Sequence, residues 1–381
     1  MTTLETLQYF QTREPAIVDA IRQIVDIESP SNNVEQSLAV VDQVLKYAAD
    51  RGVEATVERV AAAGVGEHLI IRAWPGNSRH ILLLGHTDTV HPIGSSKKNP
   101  TRVEGDRLYG CGIFDMKANI VLMIEAISYL AANGVRPPCP VTILLSCDEE
   151  TGSHTGRDLV EREAANAEIC LVFEPSAEGR VKTGRKGTGQ YKLVSHGSPA
   201  HAGLEPEKGV NAVSEIARQI ECIHAVARPE LGTTVNVCTI SGGTTSNVIP
   251  EYAECEIDVR FTTMSEALRV DESLRSLKPF DARVKLELLG AINRPPLERT
   301  PQVAALFEKA RAIAASYDYV IDEVQVGGAS DGNFVAALGV PVIDGLGLAG
   351  AGAHMLTEHI MISDIADRAT LLTHLIATAA R

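Results

Sequence analysis

The sequence predicts an α/β protein in two domains, a helix-covered sheet interrupted by a smaller ferredoxin-like α+β unit. Three observations carry this. The chain has 381 residues, too many for one ordinary core. Its first and last parts alternate apolar strand runs with helical spacing, the layout of a sheet covered by helices. Its middle part follows the order β-α-β-β-α-β, that of a ferredoxin-like unit.

In chain order, Ile17, Val18, Ile21, Ile24 and Val25 recur at helical spacing, as do Val40, Val41, Val44 and Leu45. Apolar strands follow at residues 68–73 and 80–84. A helix starts near Met116, with Ile120, Met123, Ile124 and Ile127 on one face. Strands at 141–146 and 169–173 flank a helix around 157–164. The middle part reads as strand 190–196, helix 209–225, strand 233–241, strand 255–262, helix 265–276 and strand 283–289. The pattern breaks at Asn293-Arg294-Pro295-Pro296. A helix at 301–316, a strand at 341–344 and a closing helix at 363–379 then resume the first style. The expected domains are residues 1–184 with 296–381, and an insertion of residues 185–295.

Composition narrows the function. Hydrophobic residues make up 45% and charged residues 22%, the balance of a soluble globular protein. A formal net charge of −14 argues against nucleic acid or an anionic membrane as partner. Residues 1–14 lack the basic start and apolar core of a secretory signal, and no run reaches the roughly 18 apolar residues of a membrane span. Cysteines at 111, 139, 147, 170, 222, 238 and 255 include no C-x-x-C pair. They read as reduced residues of a cytoplasmic protein.

Five motifs carry chemistry. Gly85-His86-Thr87-Asp88-Thr89-Val90 follows the apolar run Ile81–Leu84. A His and an Asp two apart share one side of a strand, which suits an imidazole ligand steadied by a carboxylate. Asp115, in Tyr109-Gly110-Cys111-Gly112-Ile113-Phe114-Asp115-Met116-Lys117, falls at a helix start, where an N-cap is the plain alternative. Ser146-Cys147-Asp148-Glu149-Glu150-Thr151 places three adjacent acids at the end of a buried strand, where ligands of open α/β sheets gather. Glu174 follows another apolar strand, and His354 ends the glycine-rich run that starts at Gly345. Two histidines and several carboxylates at strand ends suit a pair of zinc ions bridged by one carboxylate.

The segments GHTDTV, YGCGIFDMK, DEETGS, FEPS, SHGSPAHAG, GVNA, SNVIP, DVRF, GGASDGN and AHMLTEH occur in this order over nearly the whole chain. They resemble the zinc exopeptidase and aminoacylase family, which includes glutamate carboxypeptidase, acetylornithine deacetylase and succinyl-diaminopimelate desuccinylase. The nearest likeness is to bacterial glutamate carboxypeptidase. The resemblance implies a di-zinc catalytic domain with a mixed central sheet flanked by helices, and an inserted lid that dimerises.

By the same resemblance, His86, Asp115 and Glu174 are ligands of one zinc. Asp115, Glu150 and His354 are ligands of the other, with cobalt or manganese as substitutes. Asp88 orients the ligand histidine, and Glu149 is the general base for the attacking water. His201 polarises the scissile carbonyl from the partner subunit of a homodimer, while Asn247, Arg260 and Arg294 contact the substrate. The peptide bond Asp115–Met116 is implied to be cis. The substrate is a small peptide or an N-acyl amino acid. Cleavage next to a free carboxylate is the first reading, N-acyl deacylation the second, and a metal-free binding protein on the same fold the third. Two departures stand out. Ala118-Asn119 replaces the family's usual glycine pair, and His154 occupies a position that is usually not ionisable.

Overall fold

The computed structural model describes residues 2–379 and divides into two compact units. One comprises the chain up to Gly184, Arg299–Gln325 and the chain from Ser330. The other comprises Arg185–Glu298 and Val326–Ala329.

The first unit is built on a six-stranded mixed sheet. Its order is Ala55–Ala62, Gly66–Ala73, Val141–Ser146, His80–His86, Ala167–Val172 and Val342–Ile343. The first three run antiparallel to one another, and the last four run parallel. Every residue of His80–His86 is buried, as a central parallel strand requires when both faces are covered. Its Leu83, with Ile143 and Leu171 on the flanking strands, packs into a core with helices Thr3–Val25, Ala118–Ala132 and Asp364–Thr378. Ala118–Ala132 is apolar nearly all round, and Ala118 to Leu130 are all buried, so this helix is fully enclosed. Among the described residues, no helix is long and apolar enough to cross a membrane.

The second unit is a four-stranded antiparallel sheet in the order Thr234–Gly242, Tyr252–Phe261, Gly187–His196, Lys285–Arg294. Helices Ala212–His224 and Met264–Arg275 pack against it. Strand Tyr252–Phe261 alternates along its length. Ala253, Cys255, Ile257, Val259 and Phe261 are buried, while Glu254, Glu256, Asp258 and Arg260 face away; this is the period-two signature of a one-sided sheet. Both helices start where a side chain caps them: Asn211 accepts from the Ser214 amide, and Thr263 from the Glu266 amide.

All seven cysteines are free thiols. Burial pushes Cys255 up to about 11 and Cys147 up to about 12, whereas Cys238 is exposed. Thiolate is the reactive form. Iodoacetamide at pH 8 should therefore modify Cys238 first in the native protein, with Cys147, Cys170 and Cys255 reacting roughly 100-fold more slowly or only on unfolding. Peptide mapping after a short pulse checks this, and early labelling of Cys147 contradicts it.

Candidate metal centre

The parallel strands deliver the site residues at one level. His86 lies opposite Ser146, and Leu84 opposite Val172. The chain therefore leaves three adjacent strands at His86, at Cys147–Thr151 and at Phe173–Glu174, all at carboxyl ends. Gly85 leaves room for the Met116 side chain, whose Cε would lie 2.3 Å from a Cβ there. His354 arrives on the glycine loop that follows Val342–Ile343, with a left-handed φ of 65°. Non-glycine residues adopt that region rarely, and functional sites are where they collect.

Asp115 sits in the irregular segment Ile113–Lys117, with non-helical φ and ψ at Asp115 and Met116. The Asp115–Met116 peptide bond is cis. Helix Ala118–Ala132 starts after Lys117 and has no side-chain cap, so Asp115 is not an N-cap. Its carboxylate turns to the histidines instead. Asp115 Oδ1 is 3.2 Å from His86 Nε2, and Asp115 Oδ2 is 3.4 Å from His354 Nε2. Glu174 Oε1 is 3.4 Å from His86 Nε2, and Glu150 Oε2 is 3.3 Å from His354 Nε2. One carboxylate thus stands between two imidazoles, each of which faces a second acid.

The electrostatics fit bound cations. Five acids, Asp88, Asp115, Glu149, Glu150 and Glu174, outnumber the two imidazoles. Hydrogen bonds to Asp115 and Glu150 push His354 up to about 10. Burial pulls His86 down, but hydrogen bonds to Asp115, Asp88 and Glu174 outweigh it and raise it well above the usual range. Burial raises Glu150, and its buried Oε1 has no hydrogen-bond partner. An acceptor of that kind is costly without a cation or donor. Donor atoms of His86, Asp115 and Glu150 lie within 4.8 Å of one another, and so do those of His86, Glu149 and Glu174. The second group admits Glu149 as a ligand as well as a base. No cysteine belongs to either group.

Supporting contacts refine the reading of Asp88. His86 Nδ1 is closer to the Asp88 main-chain oxygen (2.9 Å) than to its carboxylate (3.4 Å), which turns Nε2 toward the acids. The Asp88 carboxylate instead accepts from Ser31 Oγ at 2.6 Å and from the amides of Glu149 and Glu150 at 3.2 and 3.1 Å. It holds the acidic loop in place. Asp331 accepts from the hydroxyls of Ser146 and Ser153 at either end of that loop. Ser31 and Asp331 carried no assigned role in the sequence, because their partners are remote in the chain. Asn119, one of the two departures, is fully buried: its amide donates to the Phe173 carbonyl at 2.8 Å, and its Oδ1 accepts from the Leu348 amide at 3.0 Å. It fixes the chain beside Glu174. His154, the other departure, is exposed.

The second unit holds the remaining candidates in two places. His201, exposed, lies on a short ribbon opposite Val248, and the Ala202 amide donates to the Asn247 carbonyl at 2.9 Å. Arg260 and Arg294 both lie opposite Thr188, one on each side; residues so placed share a face. Thr188 and His196 stand at opposite ends of one strand, ~26 Å apart at about 3.3 Å per residue. The ribbon lies beyond His196, so the arginines and His201 belong to opposite ends of this unit. The Arg260 guanidinium is forked onto Asp258, with contacts of 2.8 to 3.2 Å.

Fold and site together define a metal-dependent hydrolase of the open α/β type. Residues 82–378 match the model of peptidase family M20/M25/M40, and the chain belongs to that family. It is 29% identical over 372 residues to carboxypeptidase G2 of a Pseudomonas species, covering 95% of this chain and 89% of that one. It is 29% identical over 315 residues to succinyl-diaminopimelate desuccinylase of Delftia acidovorans, covering 77% and 80%. Among solved structures, aminopeptidase PepT of Bacillus cereus superposes with a TM-score of 0.77 at 21% identity, covering 97% and 99%. The M20 family metallo-carboxypeptidase Sso-CP2 of Sulfolobus solfataricus gives 0.71 at 16%, covering 96% and 99%. These two likenesses establish the fold.

Asn119 gives a direct test of how the site is braced. Asn119→Ala leaves the Phe173 carbonyl and the Leu348 amide unpaired in the core, a loss of about 2–3 kcal/mol. Urea unfolding of the metal-free protein should show it, and an unchanged midpoint with unchanged slope contradicts the bracing role.

Proposed function

We propose that the protein is a two-zinc hydrolase that cleaves an amide next to a free carboxylate, of glutamate carboxypeptidase type. The observation that carries the reading is the Asp115 carboxylate between His86 and His354, each beside a further acid. His86, Asp115 and Glu174 would hold one ion, and Asp115, Glu150 and His354 the other. Bound zinc lowers the pKa of water toward neutrality and polarises a carbonyl. Glu149 takes the proton from the attacking water and returns it to the leaving nitrogen. Asp88 steadies Glu149 through its amide.

The likeness to carboxypeptidase G2 over most of both chains favours release of a C-terminal amino acid from a folate or dipeptide. The desuccinylase likeness keeps N-acyl amino acid deacylation as the second reading. A paired screen of folates and dipeptides against N-acyl amino acids separates them, and release of acetate or succinate alone overturns the first. Metal analysis of the purified protein should give two zincs per chain, with cobalt or manganese supporting activity on substitution. Seven free thiols fit a reducing, cytoplasmic setting.

Glu149 is the acid whose role the geometry leaves double, base or ligand. Glu149→Gln keeps shape and loses the proton acceptor. Turnover should fall roughly 10²–10⁴-fold with both zincs retained. Loss of a zinc from this variant makes Glu149 a ligand instead.

In this reading the protein is a two-fold homodimer joined through its second units, and His201 of the partner subunit stabilises the developing oxyanion. Arg260 and Arg294 take the substrate carboxylate, for which an arginine fork is suited, and Asn247 accompanies His201. The separation of His201 from the two arginines along the second unit supports service to different substrates. Mixing inactive His201→Ala chains with inactive Glu149→Gln chains should restore one working site per mixed dimer, formed by the intact acidic cluster of the first and the intact His201 of the second. Confirmed subunit exchange without returned activity removes the trans role.

A further inference from the structure

Glu358 lies four residues after His354 and is completely buried. Its carboxylate accepts four hydrogen bonds. Oε2 takes the Gly112 amide at 2.8 Å and His91 Nε2 at 2.7 Å; Oε1 takes the amides of Phe114 and Asp115, each at 2.9 Å. Four donors fill the acceptor capacity of an ionised carboxylate. They come from two segments that both lie far from Glu358 in the sequence. Gly112, Phe114 and Asp115 belong to the irregular turn that presents the Asp115 carboxylate. His91 lies in the loop that follows His86 and carries Asp88. Glu358 itself belongs to the loop of His354: its amide donates to the Met355 carbonyl at 3.2 Å, and its carbonyl accepts from the Gly110 amide, also at 3.2 Å.

Packing tightens the same junction. Gly112 has a left-handed φ of 70°, and a Cβ there would meet Thr89 Cγ2 at 2.3 Å. The turn is therefore pressed against Thr89, the residue next to Asp88. One buried carboxyl side chain thus joins the three segments that supply His86, Asp115 and His354.

We propose that Glu358, with His91, is a positioning residue that sets the Asp115 main chain, so that its carboxylate faces both histidines. The proposal rests on the two-zinc reading above. A residue with a purely structural role would stabilise metal-free and metal-loaded protein alike. A positioning residue makes metal binding itself depend on it, because the ligands must be pre-set at the separation the ions require.

Glu358→Gln is the test. The amide keeps the size but turns an NH2 group toward N–H donors, so part of the junction must open. Zinc affinity, measured by chelator competition on metal-stripped protein, should fall roughly 10–100-fold. The visible absorption of the cobalt-substituted variant should differ from that of wild type in position or intensity. The melting temperature should drop more for the zinc-loaded than for the metal-free protein. Equal drops in both forms, with wild-type zinc affinity and cobalt spectrum, overturn the proposal and leave Glu358 as a core brace. Should Glu358→Gln fail to fold, His91→Leu carries the same measurements, since it removes one of the four donors; about a tenfold loss of zinc affinity is expected, and unchanged affinity overturns the proposal. Wild-type protein that binds no zinc overturns the two-zinc reading itself, a result distinct from a variant that binds as well as wild type.

Discussion

Like-charge repulsion is the constraint on which the rest of the first unit depends. Five carboxylates gathered beside two imidazoles at the end of a buried sheet would push one another apart, and the low local dielectric makes each repulsion stronger. The chain counters this with fixed donors. Asp88 accepts from Ser31 and two main-chain amides, and Glu358 from three amides and His91. Those acids meet fixed donors without a cation. Asp115, Glu150 and Glu174 have histidines as their partners, and in the two-zinc reading these are the acids that take the ions.

This division explains the mixed sheet. Only parallel neighbours bring several carboxyl ends to one edge, and His80–His86 has a parallel partner on each side. Strands buried on both faces need long apolar runs, so the acids must sit just past the last ladder residue. They do. His86 closes its strand, Glu149 and Glu150 follow Ser146 after a short step, and Glu174 comes two residues after Val172. An apolar run followed at once by acid or histidine is therefore a consequence of the architecture and also its sequence signal.

That signal made His86, Glu149, Glu150 and Glu174 stand out in the sequence, whereas Asp115 and His354 stood out by their glycine-rich segments and the family resemblance. The alternating strands of the second unit and the positions of its two helices were legible too. The supporting residues were not. Glu358 takes its donors from residues more than 240 positions earlier, and Asn119 joins Phe173 to Leu348, which lie on separate elements. Backbone amides have no sequence signature, so a carboxylate or amide that serves them looks like any solvated polar residue. The plain N-cap reading of Asp115 failed for a related reason. Its segment stays irregular up to the helix start, held by Glu358 as well as by wide-turn bonds such as Lys117 amide to Gly112 carbonyl. Strand Ala55–Ala62 was also missed, because as an edge strand it has mostly half-exposed residues and lacks a continuous apolar run.

The departure at Asn119 shows how one fold can keep its centre while the sequence around it drifts. A glycine pair at that point allows close approach by having no side chain. Here Gly347 yields the space instead, since a Cβ on it would fall 2.2 Å from the Asn119 amide nitrogen. The asparagine then bonds both chains that it separates, replacing contact by backbone with contact through a buried amide. A buried amide is costly when unpaired and neutral or favourable when fully paired. Glycine at 347 and asparagine at 119 therefore pack as a pair. The same logic joins Gly112 to Thr89 and Gly85 to Met116. Beneath a charged centre, the residues that matter are pairs in which one gives up volume so that the other can place a ligand.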